Sequence, residues 1–365
     1  MNKLFRFFVT IQFTFFLCYQ LYAQEKLEKS FNESFSVENG DLLDIENEYG
    51  KIVIKEIDGN ELKISVNVIA EDKDTESTQQ SLDRVTIEIK KEGKVITAHT
   101  ILDAKANAFK SLVKSVGDAF SNNLDITYEV EIPKGLDLDI YQKNGDIRIS
   151  EISAKSTIEL NDGELKLEKI TSPLKLTIKG AEGTIASMND GTLLLENSTL
   201  EVKQGGNIIL NSNVAGSKLN AGNIESLFLD SKNDEISCLD LGGLSGKSTL
   251  SKIKIEKLYG ITDFNLSFGF ISVEEITADM ESISVESKSS GDIFLDFAEG
   301  LTFDFELIGK KDNVTIPENN GELIQTALDD KGREARWKGK VGSGDSENKT
   351  VTLKAKSGGK VELNW

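Results

Sequence analysis

The side chains that could carry catalytic or metal chemistry are few in this sequence of 365 residues. It contains one histidine, His99, and two cysteines, Cys18 and Cys238. A zinc site built from histidine and cysteine needs about four such ligands, so their number excludes that kind of site. A serine–histidine–aspartate triad would need His99 beside a nucleophile and a carboxylate. His99 lies in the alternating stretch VITAHTIL, which predicts a strand histidine that is either at the surface or satisfied by hydrogen bonds.

Carboxylates are plentiful, and one group stands out by its spacing. Asp137 and Asp139 lie two residues apart, so they share one face of a predicted strand, and Asp44 occupies the equivalent place in an earlier copy of the same pattern. Such a group can bind calcium or serve as the acid and base of a glycosidase. We interpret it instead as a solvated face opposite the apolar face of the strand.

Two other segments match ligand-binding patterns only in part. LDLGGLSGKSTL approaches a phosphate-binding loop, but Gly242 stands one residue too close to Gly-Lys-Ser, and a strand is predicted where a helix should follow. KGREARWKGK gathers basic residues around Trp337, and we interpret it as a charged terminal loop rather than a site for anionic glycan or lipid. The sequence therefore assigns no catalytic, cofactor-binding or metal-binding residue.

Sugar-binding surfaces often display aromatic side chains, and the repeated part of the sequence has few. The candidates are Tyr141, Tyr259, Phe268 and Phe270. Phe264, Phe268 and Phe270 are close enough in sequence to form one patch, but we interpret them as core packing.

Residues 1–23 have the composition of a signal peptide. Lys3 and Arg6 precede an apolar run, and Ala23 supplies a small residue at the expected cleavage site. The run is short for a membrane-spanning helix. We therefore expect cleavage, export, and no transmembrane segment in the mature protein.

The exported chain is acidic and has a single cysteine. Removing Lys3 and Arg6 from the 42 basic residues leaves 40 against 61 acidic ones, a net charge of −21. This charge argues against nucleic acid as a partner, because phosphates require clusters of lysine and arginine. With Cys238 alone, no disulfide forms within the chain, so stability must come from an apolar core.

A short sequence pattern recurs along the chain. The segment at 44–57, DIENEYGKIVIKEI, matches the segment at 139–152, DIYQKNGDIRISEI, at seven positions, with Gly50 aligned to Gly145. Looser copies follow about every 20 residues, and in two of them Asp234 and Ser251 replace the glycine. Nine aliphatic residues lie two places after these turn residues and are predicted to stack: Ile147, Leu165, Ile185, Ile208, Ile224, Ile236, Ile253, Ile271 and Ile293.

Two all-β architectures carry such a pattern. In an antiparallel β-sandwich each turn closes a hairpin, whereas in a parallel β-solenoid the equivalent strands of successive coils stack. The uniform phase favours the solenoid, and the sandwich is the alternative. We predict an N-terminal β-rich region with a helical insertion at 24–135, solenoid repeats at 136–310 and capping strands at 311–365. The insertion, near 104–120, includes an apolar helical stripe from Phe109 to Phe120.

The segments ENEYGKIVIKEI, YEVEIPKGLDLDIYQKNGDIRISEI and the closing GGKVEL give the chain a family resemblance. It resembles the exported β-strand-repeat proteins of unknown function, common in Gram-negative envelopes, that are named "putative adhesins". The resemblance implies a right-handed parallel β-solenoid outside the cytoplasm and supplies no catalytic residues. We expect a non-enzymatic scaffold or adhesion surface, periplasmic or at the cell surface, whose partner is an envelope protein or a glycan. The alternative is a β-helix lyase or glycosidase.

Overall fold

Strands make up most of the described structure. A computed structural model describes residues 25–102, 123–212, 214, 216–318, 322–346, 348–355 and 358–365. These residues contain one α-helix, α1 (Thr75–Asp83), and 29 strands in one mixed sheet, so the all-β prediction is confirmed. The predicted signal peptide and the Phe109–Phe120 helix lie outside the described residues. No helix within them is long and apolar enough to cross a membrane.

The strand bounds follow in chain order. They are β1 (Glu25–Ser36), β2 (Leu42–Asn47), β3 (Gly50–Ile57), β4 (Glu61–Asp72), β5 (Val85–Glu92), β6 (Val95–Leu102), β7 (Leu124–Pro133), β8 (Asp137–Lys143), β9 (Gly145–Ile152), β10 (Ser156–Asn161), β11 (Glu164–Ile170), β12 (Leu174–Lys179), β13 (Glu182–Met188), β14 (Gly191–Glu196), β15 (Thr199–Ser212), β16 (Lys218–Lys232), β17 (Glu235–Leu241), β18 (Leu244–Thr249), β19 (Lys252–Leu258), β20 (Ile261–Ser267), β21 (Phe270–Ile276), β22 (Ser282–Ser289), β23 (Asp292–Phe297), β24 (Phe303–Lys310), β25 (Val314–Thr315), β26 (Ile324–Ala327), β27 (Glu334–Val341), β28 (Thr350–Ala355) and β29 (Val361–Asn364).

Pairs of consecutive strands repeat along the chain, and we call each pair a rung. The first strand of a rung belongs to an A row (β2, β8, β10, β12, β14, β18, β20, β22, β28) and the second to a B row (β3, β9, β11, β13, β17, β19, β21, β23, β29). The long strands β15 and β16 begin in the B row and end in the A row. Within each row, the strands of successive rungs pair in parallel.

Aliphatic side chains at matching positions of successive rungs form columns in the core. In β9 the buried positions are Ile147, Ile149 and Ile152. The spacing of two and then three residues recurs in the B row, for example in β11, β19 and β21. Each buried aliphatic side chain stabilises the fold by roughly 1.5–3 kcal/mol, and only stacking removes both of its sides from water.

The predicted column of nine residues is correct for six and wrong for three. Ile147, Leu165, Ile236, Ile253, Ile271 and Ile293 lie in one column, with other residues between Leu165 and Ile236. Ile185 pairs with Leu167 in the next column, Ile208 lies in the A row, and Ile224 takes the last buried B-row position. All nine side chains are nevertheless buried.

The cause of the error is that three glycines do not mark the expected turn. Gly206 and Gly222 lie inside the long strands β15 and β16. Gly183 lies inside β13 and itself occupies the column between Leu165 and Leu200. A Cβ atom at Gly183 would lie 3.0 Å from Leu200 Cδ1, so the glycine makes room for large neighbours in the core.

The first corner, between the A and B strands of a rung, brings successive backbones very close together. Gly50 pairs with Gly145, as the sequence predicts. A Cβ atom at Gly145 would lie 1.9 Å from Gly50 O, and one at Gly163 would lie equally close to Gly145 O. Glycine is therefore required at these two rungs by steric contact with the rung below.

In the middle of the stack, small polar residues replace glycine at the first corner. Each accepts a hydrogen bond from the backbone N–H of the preceding rung: Ser198 Oγ from Ala181, Ser217 Oγ from Ser198, Asp234 Oδ1 from Ser217, and Ser251 Oγ from Asp234, at 2.7–3.3 Å. Asp234 and Ser251 thus occupy the predicted glycine positions. Asp234 also accepts from Ser212 Oγ and Lys232 N, which partly replaces the water lost on burial.

Antiparallel pairing is confined, among the described residues, to the two ends of the stack. At one end β6 extends the A row and β7 extends the B row, both by parallel pairing. Strand β5 then pairs antiparallel with β6, β4 with β7, and β1 with β4. Helix α1 packs against β1 and β4. At the other end β24 pairs with β28 and carries the antiparallel strands β27 and β26.

Aromatic side chains close the core at the end of the chain. Phe297 stacks on Phe303 with ring centres 4.7 Å apart, and Trp365 packs edge-on against both rings and Phe305. Trp337 also packs, partly buried, against the core. The terminal rings therefore exclude water from the open end of the columns.

We predict that Gly145→Ala lowers the free energy of unfolding by about 1–3 kcal/mol, because the added methyl group overlaps Gly50 O. The measurement is the denaturation midpoint in urea. The control is Gly93→Asn in the β5–β6 hairpin, where no atom lies within 4 Å of an added Cβ and asparagine tolerates the left-handed backbone. Equal midpoints for both variants would contradict the close approach of the rungs.

We predict that Asp234→Ser changes how stability depends on pH. Burial raises the pKa of Asp234, so the folded protein holds this proton more tightly than the unfolded chain. The stability gained from this proton is present at pH values below the pKa of Asp234 in the unfolded chain. It is lost as the pH rises through the pKa of Asp234 in the folded protein. Serine keeps the hydrogen bond found at Ser217 and Ser251 and cannot ionise.

The free energy of unfolding of the unaltered protein should therefore fall relative to that of Asp234→Ser as the pH rises from the ordinary aspartate pKa of 3.8 through the raised pKa of Asp234 in the folded protein. Urea titrations of both proteins across this range measure the difference. A difference that stays constant with pH would contradict the burial of an ionisable carboxyl group at this corner.

Candidate functional site

The only histidine of the chain faces two carboxylates on the outer surface of the A row. Strand β6 pairs with β2, which places His99 opposite Glu46. His99 Nε2 lies 3.1 Å from Asp44 Oδ2, and His99 Nδ1 lies 3.6 Å from Glu46 Oε2. The strand position of His99 was predicted from the sequence, but its carboxylate neighbours were not.

The next strand adds a third carboxylate to this surface. Asp139 of β8 pairs directly with Asp44 of β2, which confirms their predicted equivalence. The pKa of Asp139 is raised, first because neighbouring strands take part of its carboxyl group out of water and then by the negative charge of Asp44. Two carboxylates in unlike surroundings, one held beside an imidazole, are the elements of an acid–base pair. We call Asp44, Glu46, His99 and Asp139 the His99 face.

A second candidate site lies at the second corner, where each B strand leads to the A strand of the next rung. It is a groove of about 610 Å³ that crosses five successive rungs. We call it the Tyr259 groove. Its polar lining side chains are Ser187, Asn189, Asp190, Gln204, Asn207, Asn223, Glu225, Asp240 and Tyr259.

The groove has one wall formed by a column of outward-facing side chains. Gln204 pairs with Asn223, and Asn223 with Asp240, on consecutive strands. On the opposite side Asp190 Oδ1 accepts hydrogen bonds from the backbone N–H and the Nδ2 of Asn207, at 3.2 and 2.8 Å. These bonds hold that side in a fixed arrangement.

Glycines form the floor between the two walls. Gly205, Gly206 and Gly242 line the groove. A Cβ atom at Gly206 would lie 2.4 Å from Asn189 O, and one at Gly242 would lie 2.3 Å from Glu225 O. The close approach of the rungs therefore requires glycine here, and the missing side chains leave the recess open.

Tyr259 closes one end of the groove and belongs to its polar network. Its hydroxyl donates a hydrogen bond to Asp240 Oδ1 at 2.8 Å, and this bond to a carboxylate is the main reason why the pKa of Tyr259 is raised. The described lining residues include three carboxylates and no lysine or arginine. The sequence indicates Tyr259 as an exposed aromatic residue, but not the groove around it.

The other aromatic candidates do not form one patch. Phe264 is fully buried in the core, whereas Phe268 is 47% exposed at the first corner. Phe270 packs edge-on against Phe294 of the next rung, with ring centres 6.3 Å apart. The predicted core packing is therefore correct for Phe264 and wrong for Phe268.

The remaining sequence candidates have structural explanations. The glycine-rich stretch after Gly242 forms β18, not the loop and helix of a phosphate site. Of the basic cluster, Lys331 and Arg333 precede β27, whereas Arg336, Lys338 and Lys340 lie on this strand rather than in a loop. Glu306 contacts Arg336 and Lys338 at 3.2 and 3.8 Å. Cys238 is buried among apolar side chains, which raises the pKa of its thiol to about 12. In the described part of the chain, no three potential ligands gather as a metal site.

Comparisons with known proteins return structures but no family assignment. No protein-family model matches the chain, and no curated protein matches it either. Similar solved structures include a "putative adhesin" from Parabacteroides distasonis (11% identity, TM-score 0.37, covering 73% of this chain and 94% of that one). Another is a "putative adhesin" from Bacteroides fragilis (13% identity, TM-score 0.29, 73% and 96%).

A third similar structure is a "putative lipid binding protein" from Parabacteroides distasonis (12% identity, TM-score 0.29, covering 92% of this chain and 96% of that one). Two of these three structures thus carry the name of the family that the sequence resembles. At these identities and scores, the likeness carries no argument about what this chain binds.

We predict that Asp44→Asn lowers the pKa of Asp139, because the variant removes the nearest negative charge that raises it. Carboxyl ¹³C chemical shifts followed against pH measure the change. Asp137→Asn is the control, because Asp137 is not among the groups that shift Asp139. An unchanged titration of Asp139 in Asp44→Asn would show that the two carboxylates do not interact.

Proposed function

We propose that this protein is a non-enzymatic β-solenoid of the cell envelope that serves as a binding or adhesion surface. In this proposal residues 1–23 direct export, 24–135 form an N-terminal β-rich region, 136–310 form the central repeats and 311–365 carry the C-terminal capping strands. The first rung, β2 and β3, and the last rung, β28 and β29, belong to the two flanking regions and continue the stack. The observation that carries the proposal is the Tyr259 groove, in which four successive rungs present the polar side chains of Ser187, Gln204, Asn223 and Asp240 in register.

The parallel pairing of the rungs supports this function physically. Successive strands lie about 4.8 Å apart, so side chains at matching positions repeat at that distance along the stack. The hydrogen-bonded backbone fixes their positions before a partner arrives, which reduces the entropy lost on binding. A surface with such a regular repeat suits an extended partner, whether a glycan or a segment of an envelope protein.

The charge and the cysteine content support a location outside the cytoplasm. The protein carries 61 acidic and 42 basic residues, which favours a well-solvated surface. Its one cysteine in the described residues is buried, so an oxidising compartment would not cross-link it readily. We place the protein in the periplasm or at the cell surface.

A second candidate function, glycoside hydrolysis or lyase chemistry, rests on the His99 face. This chemistry needs an acid and a base at neighbouring positions. The candidates are Asp139, whose pKa is raised, and Asp44, which lies beside the imidazole of His99. Asp139 is exposed on an open sheet surface, however, and catalytic carboxylates work best where the site excludes water. We therefore favour binding over catalysis.

The binding proposal predicts that the exported protein, purified and fluorescently labelled, is retained on isolated cell envelopes. Retention should saturate and should be displaced by excess unlabelled protein, because a defined surface makes the contact. The control is the same protein unfolded in urea and diluted into the assay. No retention above this control, on envelopes or on immobilised envelope glycans, would contradict the proposal.

Catalysis is tested separately by following reducing ends and unsaturated products released from envelope polysaccharides. The binding proposal predicts no release by the unaltered protein. Release that disappears in Asp44→Asn and Asp139→Asn would instead establish the second function, since both carboxylates would then be needed for the reaction.

A further inference from the structure

We propose that the Tyr259 groove binds a short stretch of an uncharged polysaccharide. This inference rests on the proposed binding function and adds the class of the ligand. Four features of the groove carry it: free amide side chains, a half-buried tyrosine, a carboxylate lining and glycines in the floor.

The amide side chains match the chemistry of sugar hydroxyl groups. A hydroxyl both donates and accepts hydrogen bonds, and so does an amide. Gln204 and Asn223 are exposed, and neither side chain makes a hydrogen bond to another described residue in the stack. Because they pair on consecutive strands, their amide groups lie side by side along the groove, about one strand spacing apart.

Tyr259 supplies an apolar surface beside these polar groups. A sugar ring has faces of C–H groups, and an aromatic ring packs well against such a face. The hydrogen bond from the Tyr259 hydroxyl to Asp240 fixes the far end of the side chain. The ring is thus held at the groove end without losing further freedom when a ligand arrives.

The carboxylates determine which sugars are accepted. Asp190, Glu225 and Asp240 line the groove, and the described lining includes no basic residue. A uronic acid, sulfated or phosphorylated sugar would bring like charges together, which is unfavourable. Carboxylate oxygens accept hydrogen bonds from neutral hydroxyl groups without this repulsion. The groove therefore selects uncharged sugars over acidic ones.

The dimensions of the groove fit a chain rather than a single sugar. Five rungs span four inter-strand distances, or roughly 20 Å. Gly206 and Gly242 carry no side chain, so the recess is open at those two rungs, with Glu225 on the rung between them. An extended oligosaccharide of a few units can thus contact Asn207 and Asn223 while one ring packs on Tyr259.

The test is titration calorimetry of the full exported protein with cellohexaose, chitohexaose and maltohexaose, compared with oligogalacturonate as the acidic probe. At least one uncharged hexasaccharide should bind, and oligogalacturonate should not. Tyr259→Ala and Asn223→Ala should each weaken binding by about tenfold or more. Tyr141→Ala is the matched control, because Tyr141 lies on the A row outside the groove and should leave the affinity unchanged.

Each other outcome overturns the inference. Binding of oligogalacturonate but of no neutral sugar would contradict the role of the carboxylates. Equal losses in Tyr259→Ala and Tyr141→Ala would place the ligand elsewhere. Thermal unfolding of each variant shows whether a loss of binding reflects a loss of fold.

The inference and the proposed function fail in different ways. If labelled Tyr259→Ala still binds cell envelopes as well as the unaltered protein, a binding function stands and the sugar groove is wrong. A further outcome is that envelope binding persists, none of the sugars binds, and lysine-rich peptides do bind. In that case the groove takes a cationic protein segment instead of a sugar. If the unaltered protein binds neither envelopes nor sugars, both proposals are wrong.

Discussion

The close approach of successive backbones at the first corner is the constraint on which the rest of this structure depends. At Gly145 the rung below leaves no space for a Cβ atom, and the same holds at Gly163. The corner stacks where the residue is glycine or alanine, or where a small polar side chain hydrogen-bonds into the neighbouring rung, as at Ser217 and Asp234. This contact aligns the two strands that meet at the corner with those of the neighbouring rung, because a shift of one residue would bring a larger side chain against the adjacent backbone.

Fixed register has opposite consequences inside and outside the stack. Inside, aliphatic residues of successive rungs meet in columns and exclude water. Where a column position carries no side chain, as at Gly183, a larger neighbour fills the space. Outside, the same register aligns polar residues such as Gln204, Asn223 and Asp240. The core and the candidate binding groove are thus two results of one pairing pattern.

Stacked strands leave unpaired edges, and the chain covers them with its two long excursions. Residues 58–136 separate the first rung from the second and contribute strands β4 to β7. Residues 298–349 separate the last rung from the one before it and contribute strands β24 to β27. Unpaired edges otherwise invite pairing with other chains. The first and last rungs are thus held between the central repeats and a cap.

Much of the fold was predictable because it depends on local patterns. The alternation around Ile147 and Ile149, the turn at Gly145 and the copy at Gly50 all lie within short segments, and all are found as predicted. The register was predictable only in part. Gly183 and Gly206 look like turn residues in the sequence. Gly183 instead makes room for large neighbours in the core, and Gly206 lies in the floor of the groove. Only their neighbours in three dimensions distinguish these roles.

The candidate sites were the least predictable part, because their members come from distant segments. His99 meets Asp44 across 55 residues of sequence, and Asp139 joins them from a third strand. Asp190 and Tyr259 lie 69 residues apart and line the same groove. The sequence by itself determined the strands, the repeat and the residues that must be buried, since these follow from local alternation and turn chemistry. Only the tertiary structure decided which outward-facing residues meet, because that depends on how many residues each rung contains and where each corner turns.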